Sequence, residues 1–226
     1  MNGEAPCAMT IAGSDSGGGA GVEADLKTFA ALGVFGTCAI TVITAQNTGG
    51  VYEVFAIPPG IVKRQIEAVL EDIELKAVKT GMLYSREIME VVSETIGEHG
   101  LRAVVDPVFQ AGSGESLIKK GCLKVLIDLI VPQALVLTPN RYEAEEISKM
   151  EIRNLKDMEE AARRISSLGA KAVIIKGGHL QGPEVCDLLY SDGTFKRFEK
   201  PRIDVKPHGG GCVFSSAIAA YLALDR

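Results

Sequence analysis

Apolar residues along this chain follow two periods that take turns. Short runs at 7–13 (CAMTIAG), 38–45 (CAITVITA), 77–83 (AVKTGML), 103–108 (AVVDPV), 134–140 (ALVLTPN) and 172–178 (AVIIKGG) carry apolar residues at consecutive positions. Such runs predict strands buried on both faces. Between most of them the spacing i, i+3, i+4, i+7 recurs: Leu26, Phe29, Ala30 and Gly33; Ile66, Val69, Leu70 and Ile73; Ile88, Val91, Val92 and Thr95. That spacing predicts helices, and 117–130, 142–149 and 155–168 read as three more. Buried strands alternating with helices predict an α/β fold, a largely parallel sheet covered on both sides. Two segments break the alternation. VYEVFAI (51–57) is a short strand ended by Pro58 and Pro59, and 186–200 is a hairpin turning at Asp192-Gly193, expected at a sheet edge. No internal repeat, low-complexity tract or linker interrupts the pattern, so one domain is expected.

In folds of this kind ligands collect at the carboxyl ends of the strands. The polar and glycine-rich segments stand there: GSDSGGGAG, QNTGG, KTGML, DPV, TPN and KGGH. Each alone is an ordinary turn. Six on one face predict a common crevice.

Composition narrows the classes of ligand. The 226 residues carry a net charge of −5, which argues against a nucleic-acid partner. The longest apolar stretch is interrupted by Lys124, Asp128, Pro132 and Gln133, so no membrane span is expected, and the opening MNGEAPC lacks the pattern of a signal peptide. The five cysteines are scattered, odd in number and without a CxxC pair, which fits a reducing cytoplasm better than a disulfide framework or a zinc site. Cys7, Cys38, Cys122 and Cys186 lie in or beside apolar runs and are expected to be small packing residues.

Several residues could carry chemistry. The segment 12–21 (AGSDSGGGAG) matches neither a Walker A loop nor GxGxxG, but its glycines allow close backbone approach to a ligand. Asp25, one turn into the next helix, suits the helix dipole as a solvated acid. Asp106 follows a strand and precedes Pro107; it is either a turn-initiating residue or a carboxylate placed to hold Mg²⁺ through water. Asn140 and Glu143, three apart at a strand-to-helix junction, form a capping arrangement by spacing. Lys176 ends an apolar strand, where a lysine either reaches solvent or meets an anion. In KPHGGGC (206–212) three glycines run into Cys212 at the start of an apolar helix. Free amides and the helix dipole would cradle an oxyanion there, and a thiol at a helix N-terminus is expected to have a lowered pKa. The other reading is a glycine-rich cap over an inert cysteine.

The segments AGSDSGGGAGVEADLKT, AQNTGGV, KTGML, VVDPVF, LTPN, IKGGH and HGGGC, in that order, resemble the hydroxymethylpyrimidine and hydroxymethylpyrimidine-phosphate kinases of thiamine biosynthesis, in the ribokinase-like superfamily. The resemblance runs from about residue 8 to residue 224. It implies a three-layer α/β/α sandwich and ATP- and Mg²⁺-dependent transfer to the hydroxymethyl group of a pyrimidine and to its monophosphate. By position it implies that Gly13, Asp25, Gln46, Met82 and Val108 line the pyrimidine pocket, and that Asp106 and Glu143 organise Mg²⁺. It further implies that Asn140 and Lys176 meet the ATP phosphates. Gly209, Gly210 and Gly211 would form the anion hole, and Cys212 would be the base. It also implies a cytoplasmic homodimer. The family usually has threonine or alanine where this chain has Gly210, and it usually continues for further elements that help cover adenine. The resemblance thus assigns residues 1–226 to one kinase domain without those C-terminal elements. Pyridoxal kinases share the later segments, so pyridoxal is an alternative substrate. A non-catalytic pyrimidine-binding module is a second alternative.

Overall fold

The computed structural model describes residues 5–110, 115–179, 182–203, 205 and 208–226; the first four residues and Lys206-Pro207 of the segments quoted above lie outside it. Ten strands and seven helices are named in chain order: β1 (Cys7–Ala12), α1 (Gly21–Ala31), β2 (Phe35–Ile40), β3 (Val42–Asn47), β4 (Gly50–Ala56), α2 (Pro59–Leu70), β5 (Leu75–Thr80), α3 (Arg86–Glu98), β6 (Ala103–Val105), α4 (Cys122–Val125), β7 (Ala134–Leu137), α5 (Arg141–Ser148), α6 (Leu155–Ser167), β8 (Ala172–Ile175), β9 (Glu184–Ser191), β10 (Thr194–Pro201) and α7 (Gly210–Ala223).

Eight strands form one sheet in the order β10-β9-β8-β7-β6-β5-β1-β2, and β3 pairs only with β4. From β2 to β8 every pairing is parallel, while β9 and β10 are antiparallel at the edge, as the hairpin signal predicts. The turn residues Asp192 and Gly193 both have positive φ, the geometry of a tight hairpin.

Strand residues alternate between two cores. Met9, Ile11, Val78, Ala103 and Val105 face α2, α3, α5 and α6, while Ala8, Ala77 and Val104 face α1 and α7. This is the three-layer sandwich, and its apolar runs are continuous because both faces are buried. Asn154 caps α6 by accepting the amides of Lys156 and Asp157, and Asn140 caps α5 in a reciprocal box with Glu143.

Two expectations are corrected. The run at 38–45 is not one strand: it breaks at Thr41 into β2 and β3. Thr41 donates its amide to Ala12 and its hydroxyl to the Met82 carbonyl at 2.6 Å, so the chain is pinned there and turns out of the main sheet. The helix expected over 117–130 begins only at Cys122 and continues past α4 as a wider π-turn, Leu126–Ile130. Residues 117–121 instead make loop pairings, such as Lys119 N–H to Tyr84 O.

Candidate active site

The carboxyl ends of β1, β5, β6, β7 and β8 carry Gly13, Met82, Asp106, Asn140 and Lys176. On one side the lining is apolar. A methyl group built on Gly13 would lie 2.6 Å from Val42 Cγ2 and 3.4 Å from Met82 Sδ, so only glycine fits between β3 and the loop after β5. Val42, Met82 and Leu117 form a small cluster with Val51, Val54, Ala56 and Val108 packed against it. The structure thus brings Gly13, Met82 and Val108 together under the β3–β4 hairpin. Gln46 lies on the same hairpin, at an irregularity in its register after Ala45. Its backbone N–H and C=O both bond Ser16 Oγ, at 2.8 and 2.7 Å, and its Oε1 accepts from Thr44 at 3.3 Å. The side-chain amide nitrogen is a donor that these contacts do not use.

The other side is charged. Asp106 is buried and accepts from Lys176 Nζ at 3.0 Å, Thr138 Oγ1 at 3.1 Å and Ser215 Oγ of α7 at 3.3 Å. Burial pushes its carboxyl up, but Lys176, Lys79 and these hydrogen bonds outweigh it and hold Asp106 below the ordinary range. Lys176 is desolvated, yet Asp106 and Glu143 raise its pKa and keep it charged. Glu143 is nearly buried and accepts the Asn140 N–H at 2.7 Å; burial, helped by the charge of Asp106, pushes it up to about 8. Asn140 Oδ1 is taken by the Glu143 amide at 3.0 Å, so the spacing-based capping reading of this pair holds in the structure.

Two buried carboxyls therefore share one lysine. Mg²⁺ is bound by one or two carboxylates with phosphate oxygens and water, so Asp106 and Glu143 fit that ion. The uncompensated Glu143 yields a testable sign. Its folded pKa lies above the ordinary 4.5, so the stability it lends the neutral form is present below that value and lost as pH rises through about 8. Glu143→Gln keeps an oxygen for the Asn140 amide. The variant is expected to match wild type in urea denaturation at about pH 4 and to exceed it at about pH 9. Equal curves at the higher pH would remove the strained carboxyl.

Between the two sides stands the start of α7. Gly209 has φ +76°, and a methyl group on it would fall 1.8 Å from the Gly19 carbonyl oxygen. A methyl on Gly211 would lie 3.4 Å from Lys176 Nζ and 3.7 Å from Asp106 Oδ2, so the glycine segment runs along the charged side. A methyl on Gly21 would sit 2.4 Å from the Gly13 carbonyl oxygen, so the start of α1 packs against the end of β1. Cys212 follows the glycine segment, and its thiol feels the charges of Lys79, Asp106 and Asp25. Its thiol does not have the expected lowered pKa. Burial raises it, Asp106 and Asp25 add to the rise, and Lys79 and the Gly21 amide only partly offset them. Desolvation here outweighs the helix terminus.

Asp25 is also corrected. It is not a solvated first-turn acid: it is fully buried, accepting from Lys79 Nζ at 2.8 and 3.0 Å, Thr10 Oγ1 at 2.6 Å and Ser216 Oγ at 2.5 Å. Its oxygens are occupied by protein donors, so it ties β1, β5, α1 and α7 together beneath the site. Lys79 was missed in the sequence, although a lysine inside an apolar strand run was the signal that singled out Lys176. Asp15 and His208 were missed as well. Asp15 accepts the amides of Gly17, Gly19 and Ala20 at 2.8, 3.1 and 2.8 Å, so the glycine-rich loop wraps a carboxylate of its own chain.

The family described as phosphomethylpyrimidine kinase matches residues 15–226. A hydroxymethylpyrimidine/phosphomethylpyrimidine kinase of Synechococcus elongatus is 49% identical over 97% of this chain and 84% of its own length. The thiamine biosynthesis bifunctional protein ThiED of Geobacter sulfurreducens is 47% identical over 95% of this chain, which spans only 44% of that longer protein. The crystal structure of phosphomethylpyrimidine kinase from Clostridium difficile superposes with a TM-score of 0.87 at 46% identity, covering 97% of this chain and 91% of that one. An ADP complex of Bacillus subtilis pyridoxal kinase superposes with a TM-score of 0.91 at 39% identity, covering 99% of this chain and 86% of that one. The fold and these matches agree: the chain belongs to the phosphomethylpyrimidine kinase family.

Proposed function

We propose that the chain transfers the γ-phosphoryl group of ATP to the hydroxymethyl group of an aminopyrimidine, and then to the resulting monophosphate. The carrying observation is the position of Cys212, which directly follows the glycine segment that runs past Lys176 and Asp106 and whose thiol feels the charges of Lys79, Asp106 and Asp25. The pyrimidine ring would rest against Gly13, Met82 and Val108, with the Gln46 amide reading its polar edge. Asp25 would act from below, holding α7 in place. The amides at the start of α7, Gly209 to Gly211, would receive the migrating phosphoryl group with Lys176 beside them. Phosphoryl transfer asks mainly for positioning and charge stabilisation, which these groups provide. Asp106 and Glu143, near Asn140, would hold Mg²⁺, which supplies charge neutralisation to the phosphates. Cys212 would take the hydroxyl proton. We further propose a cytoplasmic homodimer, on the likeness to the family alone; among the described residues no helix is long and apolar enough to cross a membrane.

Because burial raises the thiol, its thiolate form grows toward alkaline pH. Turnover is expected to rise with pH beyond neutrality, and Cys212→Ala to lose about 10²–10⁴-fold in kcat while pyrimidine binding by calorimetry is retained. Full turnover in Cys212→Ala would remove the base. The pyridoxal kinase superposition motivates a second reading with pyridoxal as acceptor. Parallel assays decide: a preference for pyridoxal above about tenfold in kcat/KM would overturn the pyrimidine. Pyrimidine binding without ATP turnover would leave only a binding module.

A further inference from the structure

Two loops far apart in sequence meet along a register of two contacts. His208 Nε2 lies 2.7 Å from Asp15 Oδ2. Gly209 rests on the Gly19–Ala20 backbone so closely that a methyl would fall 1.8 Å from Gly19 O and 3.0 Å from Ala20 Cα. The first contact differs in kind from the second. Asp15 is only 2% exposed, its backbone N–H is held by Glu23 Oε2 at 2.7 Å, and its carboxylate gathers three amides of the loop before α1. A carboxylate only accepts, so His208 donates from Nε2. A methyl on Gly19 would lie 2.3 Å from His208 Cδ2, so the ring packs closely against the loop it bonds.

The geometry points to Asp15 and His208 as a positioning pair. Asp15 folds the 15–20 loop around itself, and His208, one residue before the glycine segment, ties that segment to the same carboxylate. Through this tie the amides of Gly209 to Gly211 keep their register against Gly13 and Gly21, which border the apolar pocket. Neither residue needs to touch substrate. The pair sets the distance between acceptor and phosphoryl cradle, and small misplacements of reacting groups cost large factors in rate. This inference rests on the kinase reading above.

The test compares His208→Ala with His208→Gln, whose terminal amide can donate to Asp15 from a similar reach. His208→Ala is expected to lower kcat by roughly 10- to 100-fold with little change in pyrimidine Kd, and His208→Gln to recover most of the loss. Hydrogen exchange gives a readout independent of activity. The amides of Gly17, Gly19 and Ala20 should lose protection in His208→Ala and regain it in His208→Gln, because the carboxylate they bond is no longer held in place. Unchanged kcat in His208→Ala overturns the pair. So does a Gln variant as impaired as the Ala variant, since the imidazole itself would then be needed. If the wild type turns over no pyrimidine, the kinase reading fails alone, and the exchange pattern still decides whether the tie exists. His208 is exposed on one side, with 31% of its side-chain surface accessible, so neither substitution leaves a core cavity.

Discussion

Lys79→Met is expected to lower the unfolding free energy by about 3–5 kcal/mol, measured by urea denaturation near neutral pH. Lys79 and Asp25 have no accessible side-chain surface, and their ion pair spans 2.8 Å. Removing the ammonium leaves Asp25 inside the protein with only the Thr10 and Ser216 hydroxyls to hold its charge. An unpaired buried carboxylate costs far more than the net worth of the pair. The double variant Lys79→Met with Asp25→Leu should recover much of the loss, because the charge that suffers is gone, although the two hydroxyls then lack an acceptor. If Lys79→Met is as stable as wild type, the pair is not the clamp under α7 that the geometry describes. The clamp also reaches the chemistry. Ser216 lies one helical turn after Cys212, so slackening at Asp25 shifts the thiol, and Lys79 is the largest of the influences that keep the thiol pKa from rising further.

How legible the molecule was in its sequence follows from the range of each interaction. The parallel sheet was readable because a strand buried on both faces leaves a continuous apolar run, as in CAMTIAG and AVIIKGG. The edge hairpin was readable because Asp192-Gly193 is a local turn signal. The break at Thr41 was not: it depends on a hydroxyl bond to the Met82 carbonyl, 41 residues away. The convergence of Gly13, Met82, Asp106, Asn140 and Lys176 followed from a rule about strand ends that needs only the element order. Environment was not readable. Asp25 looked like a solvated first-turn acid because local spacing carries no sign of Lys79, 54 residues on. The Cys212 thiol was expected low on its helix terminus alone, while the burial that raises it comes from elements distant in sequence. The Asp15–His208 tie spans 193 residues, and only its loop half leaves a local trace, an aspartate before a run of glycines.

Lys176→Met should bring a loss of turnover of about 10²–10³-fold in kcat, with pyrimidine binding intact by calorimetry. Lys176 Nζ bonds Asp106 at 3.0 Å and stands 3.4 Å from where a methyl on Gly211 would be, so its charge lies between the buried carboxyls and the glycine segment proposed to receive the phosphoryl group. Methionine has nearly the same reach and no charge, which separates electrostatics from packing. The substitution also changes its neighbours in a predictable direction. Lys176 is the strongest of the influences that lower Asp106, so without it the Asp106 carboxyl rises and holds a proton to higher pH. The residual activity of the variant should therefore fall off at a higher pH on the acid side than that of wild type. Lys176→Arg keeps the charge but replaces a compact ammonium by a planar fork, and it is expected to restore the acid limb better than the rate, since the limb depends on charge and the rate on geometry. A Met variant that keeps its turnover, with the acid limb unmoved, would place the phosphoryl group elsewhere and detach the glycine segment of α7 from the chemistry.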